Sequence, residues 1–373
     1  MSLARKIKLN LNNIPGWRTP RKIVVVESDD WGSIRMPSKE ILARLEKKGF
    51  IPKNDYYNRF DSLASKKDLS NLFDVLSTVK DKNGNAAILT ANTIVANPDF
   101  DKIEASNYLK YYYEIFTDTL KKYPDHANSF QIWKEGMGSK IFHPQFHGRD
   151  HINVTTWLQK LQKNDLVTKT AFDNKLLGLR DRNCDKSRAY FYMRALDFNN
   201  TNDLSKKLEA IEDGISIFQN IFGYKSKSFI APSYVWNDQV ENILKKNGVD
   251  YIQGIRLQKK PILGNKNLVN KIHFLGNKSN HNQIYLVRNA FFEPSILNSN
   301  QTVENTLYRI NIAFNWNKPA IIGSHRVNYI GFINEKNRDE NLKLIKTLLT
   351  SIIKKWPDVE FMTSDQLGNL IKQ

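Results

Sequence analysis

Ile23-Val24-Val25-Val26-Glu27-Ser28-Asp29-Asp30-Trp31-Gly32 is the stretch on which the reading of this chain turns. Four β-branched residues bounded by Arg21-Lys22 and by acids read as a short strand buried on both faces, as in a parallel sheet. Two adjacent carboxylates follow at its end. On an extended backbone, neighbouring side chains point to opposite sides, so Asp29 and Asp30 are expected to do different jobs.

Outward from this strand, apolar runs alternate with amphipathic segments. Strands are expected at Ala86 to Val95, Ile141 to His147, Ser228 to Ala231, Asp250 to Gln253, Ile284 to Val287, Ala320 to Gly323 and Val359 to Met362. Helices are expected at Lys39 to Lys48 (N-capped by Ser38), Asp68 to Lys80, Ile103 to Lys122, Thr155 to Lys163, Leu204 to Phe222, Asp238 to Lys246, Val303 to Phe314 and Asn341 to Lys355. This alternation predicts parallel βαβ units in one α/β domain over 21–373, preceded by a basic extension over 1–20. Polar stretches at Tyr56 to Ser65, Leu176 to Asn199 and Gln258 to Asn282 read as inserted loops or lids.

Composition narrows the class. The 373 residues are 40% hydrophobic, with 20 Phe and 15 Tyr, enough for a sizeable core. No apolar run is long enough to span a bilayer, and Met1 to Pro20 lacks the apolar core of a signal peptide, so the expected compartment is the cytoplasm. One cysteine, Cys184, allows no internal disulfide and has no His-Asp partner signature for a thiol nucleophile. The net charge of +18 is spread along the chain. With no basic run interleaved with aromatics, no nucleic-acid partner is expected. Phosphate-cradling loops and G-x-S-x-G elbows are absent, which counts against NTP binding and serine hydrolysis.

In parallel α/β folds the chemistry sits where strands end. Three strand ends carry unusual polar residues: Asp29-Asp30, then His143, His147 and His151, then Ser324-His325. Pro144 holds His143 extended, which leaves His147 and His151, with Gly148 easing the turn between them, as the better imidazole pair. Two imidazoles with a carboxylate from Asp29 or Asp30 would make a facial metal site with an open position for water.

These segments together resemble NodB-type polysaccharide deacetylases, carbohydrate esterase family 4. Val24 to Asp30 is similar to the T-F-D-D motif and His147-Gly148-Arg149-Asp150-His151 to H-S/T-x-x-H. Phe229-Ile230-Ala231-Pro232-Ser233-Tyr234 is similar to F-R-x-P-Y-G, and Ile321 to His325 to the closing L-H-D motif; the order holds from about Ile23 to Ile371. The resemblance implies a distorted (β/α) barrel of the glycoside hydrolase/deacetylase type. Asp30, His147 and His151 would hold one divalent metal ion, Zn2+ by donor type. Asp29 would be the general base and His325 the general acid. The substrate would be an N-acetylated sugar of a polysaccharide, an oligosaccharide or a lipid- or nucleotide-linked precursor. Trp31, His143, Arg149, Pro232, Ser233, Tyr234 and Arg288 would contact it, with Trp31, Trp236 and Tyr234 as stacking platforms. The chain departs from the motifs at Ile230 (in place of Arg), Ser233 (in place of Tyr), Gly148 and Arg326, and Arg149 or Arg288 is the candidate replacement guanidinium. Two alternatives stay open: a glycan-binding barrel without turnover, and a metal-dependent hydrolase of another C–N amide bond.

Overall fold

The computed structural model describes residues 3–181, 191–265, 267–296 and 299–373. Cys184 and the middle of the Leu176 to Asn199 insertion lie outside the described residues. Nine parallel strands form the main sheet: β1 (Ile23–Trp31), β2 (Leu89–Ile94), β3 (Phe142–Gly148), β4 (Ser228–Ile230), β5 (Tyr251–Gly254), β6 (Ile284–Val287), β7 (Ala290–Phe291), β8 (Ala320–His325) and β9 (Glu360–Met362). Their order is β6-β5-β4-β3-β2-β1-β8-β7, with β9 also pairing to β1.

The two ends of that order are consecutive in the chain. The backbone N–H of Arg288 donates to the Gly254 carbonyl on one side of the seam, and that of Asn289 donates to Ile321 on the other. One bent segment, Ile284 to Phe291, therefore bridges the open edges and completes a (β/α) barrel-like wall. The expected fold class is the observed one.

Alternation along β1 sorts its side chains. Val24 and Val26 join the large core cluster, whereas Ile23 and Val25 join a smaller cluster with Leu286, Ile321 and Leu367. Glu27 and Asp29 share the parity of Ile23 and Val25, and both meet Arg288. The strand runs on to Trp31, past the expected end at Val26, because Glu27, Ser28 and Asp29 all find polar partners inside the wall.

Other elements differ from expectation. Ile103 to Lys122 is not one helix. It divides into a helix at Phe100–Ala105, a strand at Tyr113–Ile115 that pairs antiparallel with Ala96–Pro98, and a helix at Phe116–Lys122. The break falls at Asn107 and Tyr108, both left-handed (φ 51° and 61°), and the tyrosine run after it suits a strand. Gln258 to Asn282 is not loop throughout, since Leu257–Lys260 and Val269–Ile272 pair as a hairpin. Leu3–Asn13 is a helix, and Ser129–Gly138 is a further helix that the sequence pattern did not single out.

Candidate active site

The carboxyl ends of β1, β3, β4 and β8 open onto one cavity of about 440 Å³, lined by Asp29, Asp30, His147, His151, Ser233, Tyr234 and His325 together with Arg35, Tyr57 and Tyr192. Asp29 and Asp30 both reach it, contrary to the expectation that they face opposite sides. Asp30 has a left-handed backbone (φ 73°), and the pairing of β1 with β2 shifts register between Ser28 and Trp31. This bulge re-aims Asp30 toward the cavity.

Asp30 meets both imidazoles. Its Oδ1 lies 3.4 Å from His147 Nε2 and 3.1 Å from His151 Nε2, and its Oδ2 accepts from Arg35 at 3.1 Å. Gly148 between the histidines has φ 121°, a region closed to side-chain-bearing residues, and this turn lets both rings converge. The His147 Nδ1 is engaged by the Ile230 carbonyl at 2.9 Å, which leaves Nε2 as the free nitrogen. That Nε2 is buried without a hydrogen-bond partner, as is the Nδ1 of His151. Donor atoms of Asp30, His147 and His151 all lie within 4.8 Å of one another. An orphaned, buried ring nitrogen beside a carboxylate is costly unless something binds there, and the trio fits a divalent ion. Burial opposes charging of Asp30, yet the neighbouring His151 and Arg35 hold its carboxyl well below the usual range.

Asp29 stands beside this trio in a different setting. Arg288 forks onto it, Nη2 to Oδ1 at 2.6 Å and Nη1 to Oδ2 at 2.8 Å, while Asn92 donates to Oδ1 at 2.7 Å. Arg288 Nε reaches the buried Glu27 at 2.6 Å. Burial would raise the Asp29 pKa, but the guanidinium wins and holds it at about 2. His325 is the direct register partner of Asp29, and its Nε2 lies 3.9 Å from Asp29 Oδ2. The opposite ring nitrogen, Nδ1, is 2.6 Å from Glu293. Burial disfavours the imidazolium, but Glu293 outweighs it and lifts the pKa to about 9.

Several expected contacts are not at this cavity. Trp31 is 1% exposed and packs edge-on against Trp133 and Phe142, because the bulge at Asp30 turns it into the core. Trp236 is likewise buried, donating to Glu241. Neither is a stacking platform. His143 sits at the start of β3, at the opposite end of the barrel, stacked on Tyr224 and 3.2 Å from Asp365. Arg149 is tied to Asp150 and Asp213, and with Pro232 it lines a separate cavity of about 390 Å³ beyond the His147–His151 turn. Arg326 is buried and forks onto Asp61.

Glu293, Asn92, Arg35 and Tyr57 were not anticipated. Glu293 follows the apolar Ala290-Phe291-Phe292, so the same search for acids after apolar runs reaches it. Asn92 is a residue type depleted in strands, yet it sits inside one. Arg35 and Tyr57 carry no sequence signal.

The strand ends of this barrel-like sheet thus gather an acid–imidazole cluster and, beside it, a clamped carboxylate facing a histidine. The profile of glycosyl hydrolase family 57 matches residues 37–290, more than half of the chain, and the chain belongs to that family. This differs from the esterase family that the motifs resemble. The matched stretch holds both imidazoles and Arg288 but starts after Asp29 and Asp30 and ends before Glu293 and His325.

No curated protein matches the chain. Among solved structures, one described provisionally as a glycoside hydrolase/deacetylase from Parabacteroides distasonis aligns over 95% of this chain and 72% of its own, at 10% identity and TM-score 0.50. A polysaccharide deacetylase, also so named provisionally, from Mycobacterium smegmatis aligns over 96% and 93%, at 10% identity and TM-score 0.45. A 4-alpha-glucanotransferase from Thermococcus litoralis aligns over 93% of this chain and 40% of its own, at 9% identity and TM-score 0.43. The first of these supports the fold. No described helix is long and apolar enough to cross a membrane.

Proposed function

We propose that this protein is a metal-dependent hydrolase that removes acetyl groups from N-acetylated sugars of a polysaccharide or its precursor. The observation that carries the reading is the unpartnered Nε2 of His147, aimed with His151 at Asp30 beside an arginine-clamped second carboxylate. Asp30, His147 and His151 would hold the ion, and zinc suits two imidazoles and one carboxylate. When bound, the ion supplies Lewis acidity toward the acyl oxygen and lowers the pKa of a ligating water.

The protein's own groups divide the proton work. A carboxylate oxygen has roughly two acceptor directions. In Asp29, Oδ1 uses both on Asn92 and Arg288, whereas Oδ2 uses one on Arg288. Oδ2 is therefore the atom left to take a proton from water. His325, charged by virtue of Glu293, presents Nε2 on the same side and donates to the departing amine. Arg288 supplies the guanidinium that the motif carries at the position held here by Ile230. Tyr234, whose hydroxyl accepts from Arg288 at 3.1 Å, and Ser233 line the cavity where a sugar would sit.

The family membership favours a second reading, cleavage of a glycosidic bond by carboxylates of the same cavity. One experiment separates them: acetate release from N-acetylated oligosaccharides against release of reducing ends from α-glucans, with and without chelator. Chelator-sensitive acetate release, lost in Asp29→Asn and His325→Ala, supports the deacetylase. Chelator-resistant release of reducing ends overturns it.

A further inference from the structure

Lys and Arg run throughout this chain, but its acids and its exposed apolar side chains are not evenly placed. Residues 1–26 hold six Lys and Arg and no acid, and residues 251–292 hold seven and again no acid, the longest acid-free run in the sequence. These two stretches pack together. Arg256 bonds to Asn12, the Trp17 N–H donates to the Leu275 carbonyl at 2.7 Å, and Leu9, Asn12, Leu257 and Phe274 border one cavity. Among the described residues, eleven large hydrophobic side chains are exposed, and nine of them lie here: Leu3, Ile7, Leu11 and Ile14, with Leu257, Ile262, Leu263, Val269 and Ile272.

The Leu3–Asn13 helix is mounted the wrong way round for a globular surface. Its polar side faces the barrel: Asn10 accepts from Trp316, Asn12 from Arg256 and Asn13 from Asn289. Its apolar positions, Leu3, Ile7 and Leu11, recur every four residues, continue to Ile14, and point away from the protein at 37–73% exposure. Surface helices ordinarily bury such a stripe. Lys6, Lys8, Arg18, Lys259 and Lys278 of the same two stretches are exposed as well.

We propose that this face docks the protein, reversibly, on a bilayer rich in anionic lipid. A short helix with an outward apolar stripe and basic flanks lies in the headgroup–acyl boundary rather than crossing it. The neighbouring hairpin adds Leu257 and its register partner Ile272 on one face, with Ile262 and Leu263 exposed between its strands.

The test is flotation of the full chain with vesicles of phosphatidylcholine alone or mixed with phosphatidylglycerol. The expected result is binding to the mixed vesicles, weakened by salt, and little binding to the neutral ones. Ile7→Glu with Leu11→Glu should abolish flotation, and Lys6→Ser and Lys8→Ser should each weaken it about fivefold. Leu166→Glu, an exposed apolar site elsewhere, should leave it unchanged. All these side chains are exposed, so unchanged thermal unfolding shows that the variants still fold. No flotation with anionic vesicles, or flotation indifferent to the Ile7/Leu11 pair, overturns the proposal. So does a dimer by light scattering that the Ile7/Leu11 pair converts to monomer, since a second copy would then cover the face.

Discussion

The two halves of the cavity handle buried charge differently. In the acid–base half, Arg288 joins Glu27 and Asp29 by short contacts, Glu293 holds His325 at 2.6 Å, and His325 Nε2 stands 3.9 Å from Asp29. In the metal half, Asp30 is shared between Arg35 and two imidazoles, and ring nitrogens of both histidines remain without partners. A closed network positions its members before any ligand arrives. An open one is finished by what binds to it, and the sharpest experiments break one half while reading the other.

The largest effect is expected in the open half. Asp30→Ala or His147→Ala should take bound divalent ion from about one per chain to background, and hydrolysis should fall by more than about a hundredfold, beyond what loss of an outer partner costs. Elemental analysis beside acetate release checks both. Metal retained in either variant would assign the ion elsewhere.

The closed half should fail by instability. Arg288→Ala leaves Glu27 buried without a counter-charge and Asp29 with only His325 3.9 Å away, and breaking a buried pair costs roughly 3–5 kcal/mol. Urea unfolding measures this directly. A loss under about 1 kcal/mol would mean that water or another cation replaces the guanidinium.

A subtler cut separates the acid from its support. The His325 pKa, raised to about 9 by Glu293, lies above the ordinary value of 6.5. Its contribution to stability is therefore fully present below about pH 6.5 and is lost as pH rises through about 9. Activity that needs the protonated ring should fall over the same upper range. Glu293→Gln should bring both limbs to lower pH, as a pH–rate profile and unfolding at several pH values would record. A profile unmoved by Glu293→Gln would remove His325 from the acid's role.

The smallest effect is expected at the far end of the barrel. His143→Ala should cost about 1 kcal/mol or less, the net worth of a hydrogen bond, and leave turnover unchanged. A turnover defect would make His143 something more than a partner of Gln145 and Asp365.

What the sequence discloses follows from what each residue rests on. Val24 to Val26 and Ile321-Ile322 announce their strands because parallel strands buried on both faces must be continuously apolar. Leu204 to Phe222 ends where Gly223 takes a left-handed cap (φ 76°), a stop readable from the residue type. His147 and His151 are legible because their spacing and the glycine between them are local. Trp31 is not, because a single left-handed residue before it, Asp30, decides whether the indole enters the cavity or the core. The tyrosines from Tyr111 to Tyr113 suit a helix or a strand, and the turn at Asn107-Tyr108 chooses. Arg288 stands as one of two candidate guanidiniums in sequence because its partner is 259 positions away, and no local pattern records that distance. The helix at Leu3–Asn13 is hidden for a related reason: its apolar stripe faces outward, so the rule that apolar means inward misreads it.

The seam at Arg288 also sets an order of events. Asp30, His147 and His151 all lie within the first 151 residues, so a chain still being made from its N-terminus carries the whole cluster early. Glu27 and Asp29 are made earlier still, but the guanidinium that makes their burial tolerable comes only with residue 288, and the acid opposite only with residue 325. Until that last quarter of the chain arrives, the central strand carries two carboxylates that favour water over the barrel. The partly made protein can thus carry the Asp30, His147 and His151 cluster before its second carboxylate is neutralised, and the wall closes only when residues 288–289 meet the later strand at Ile321.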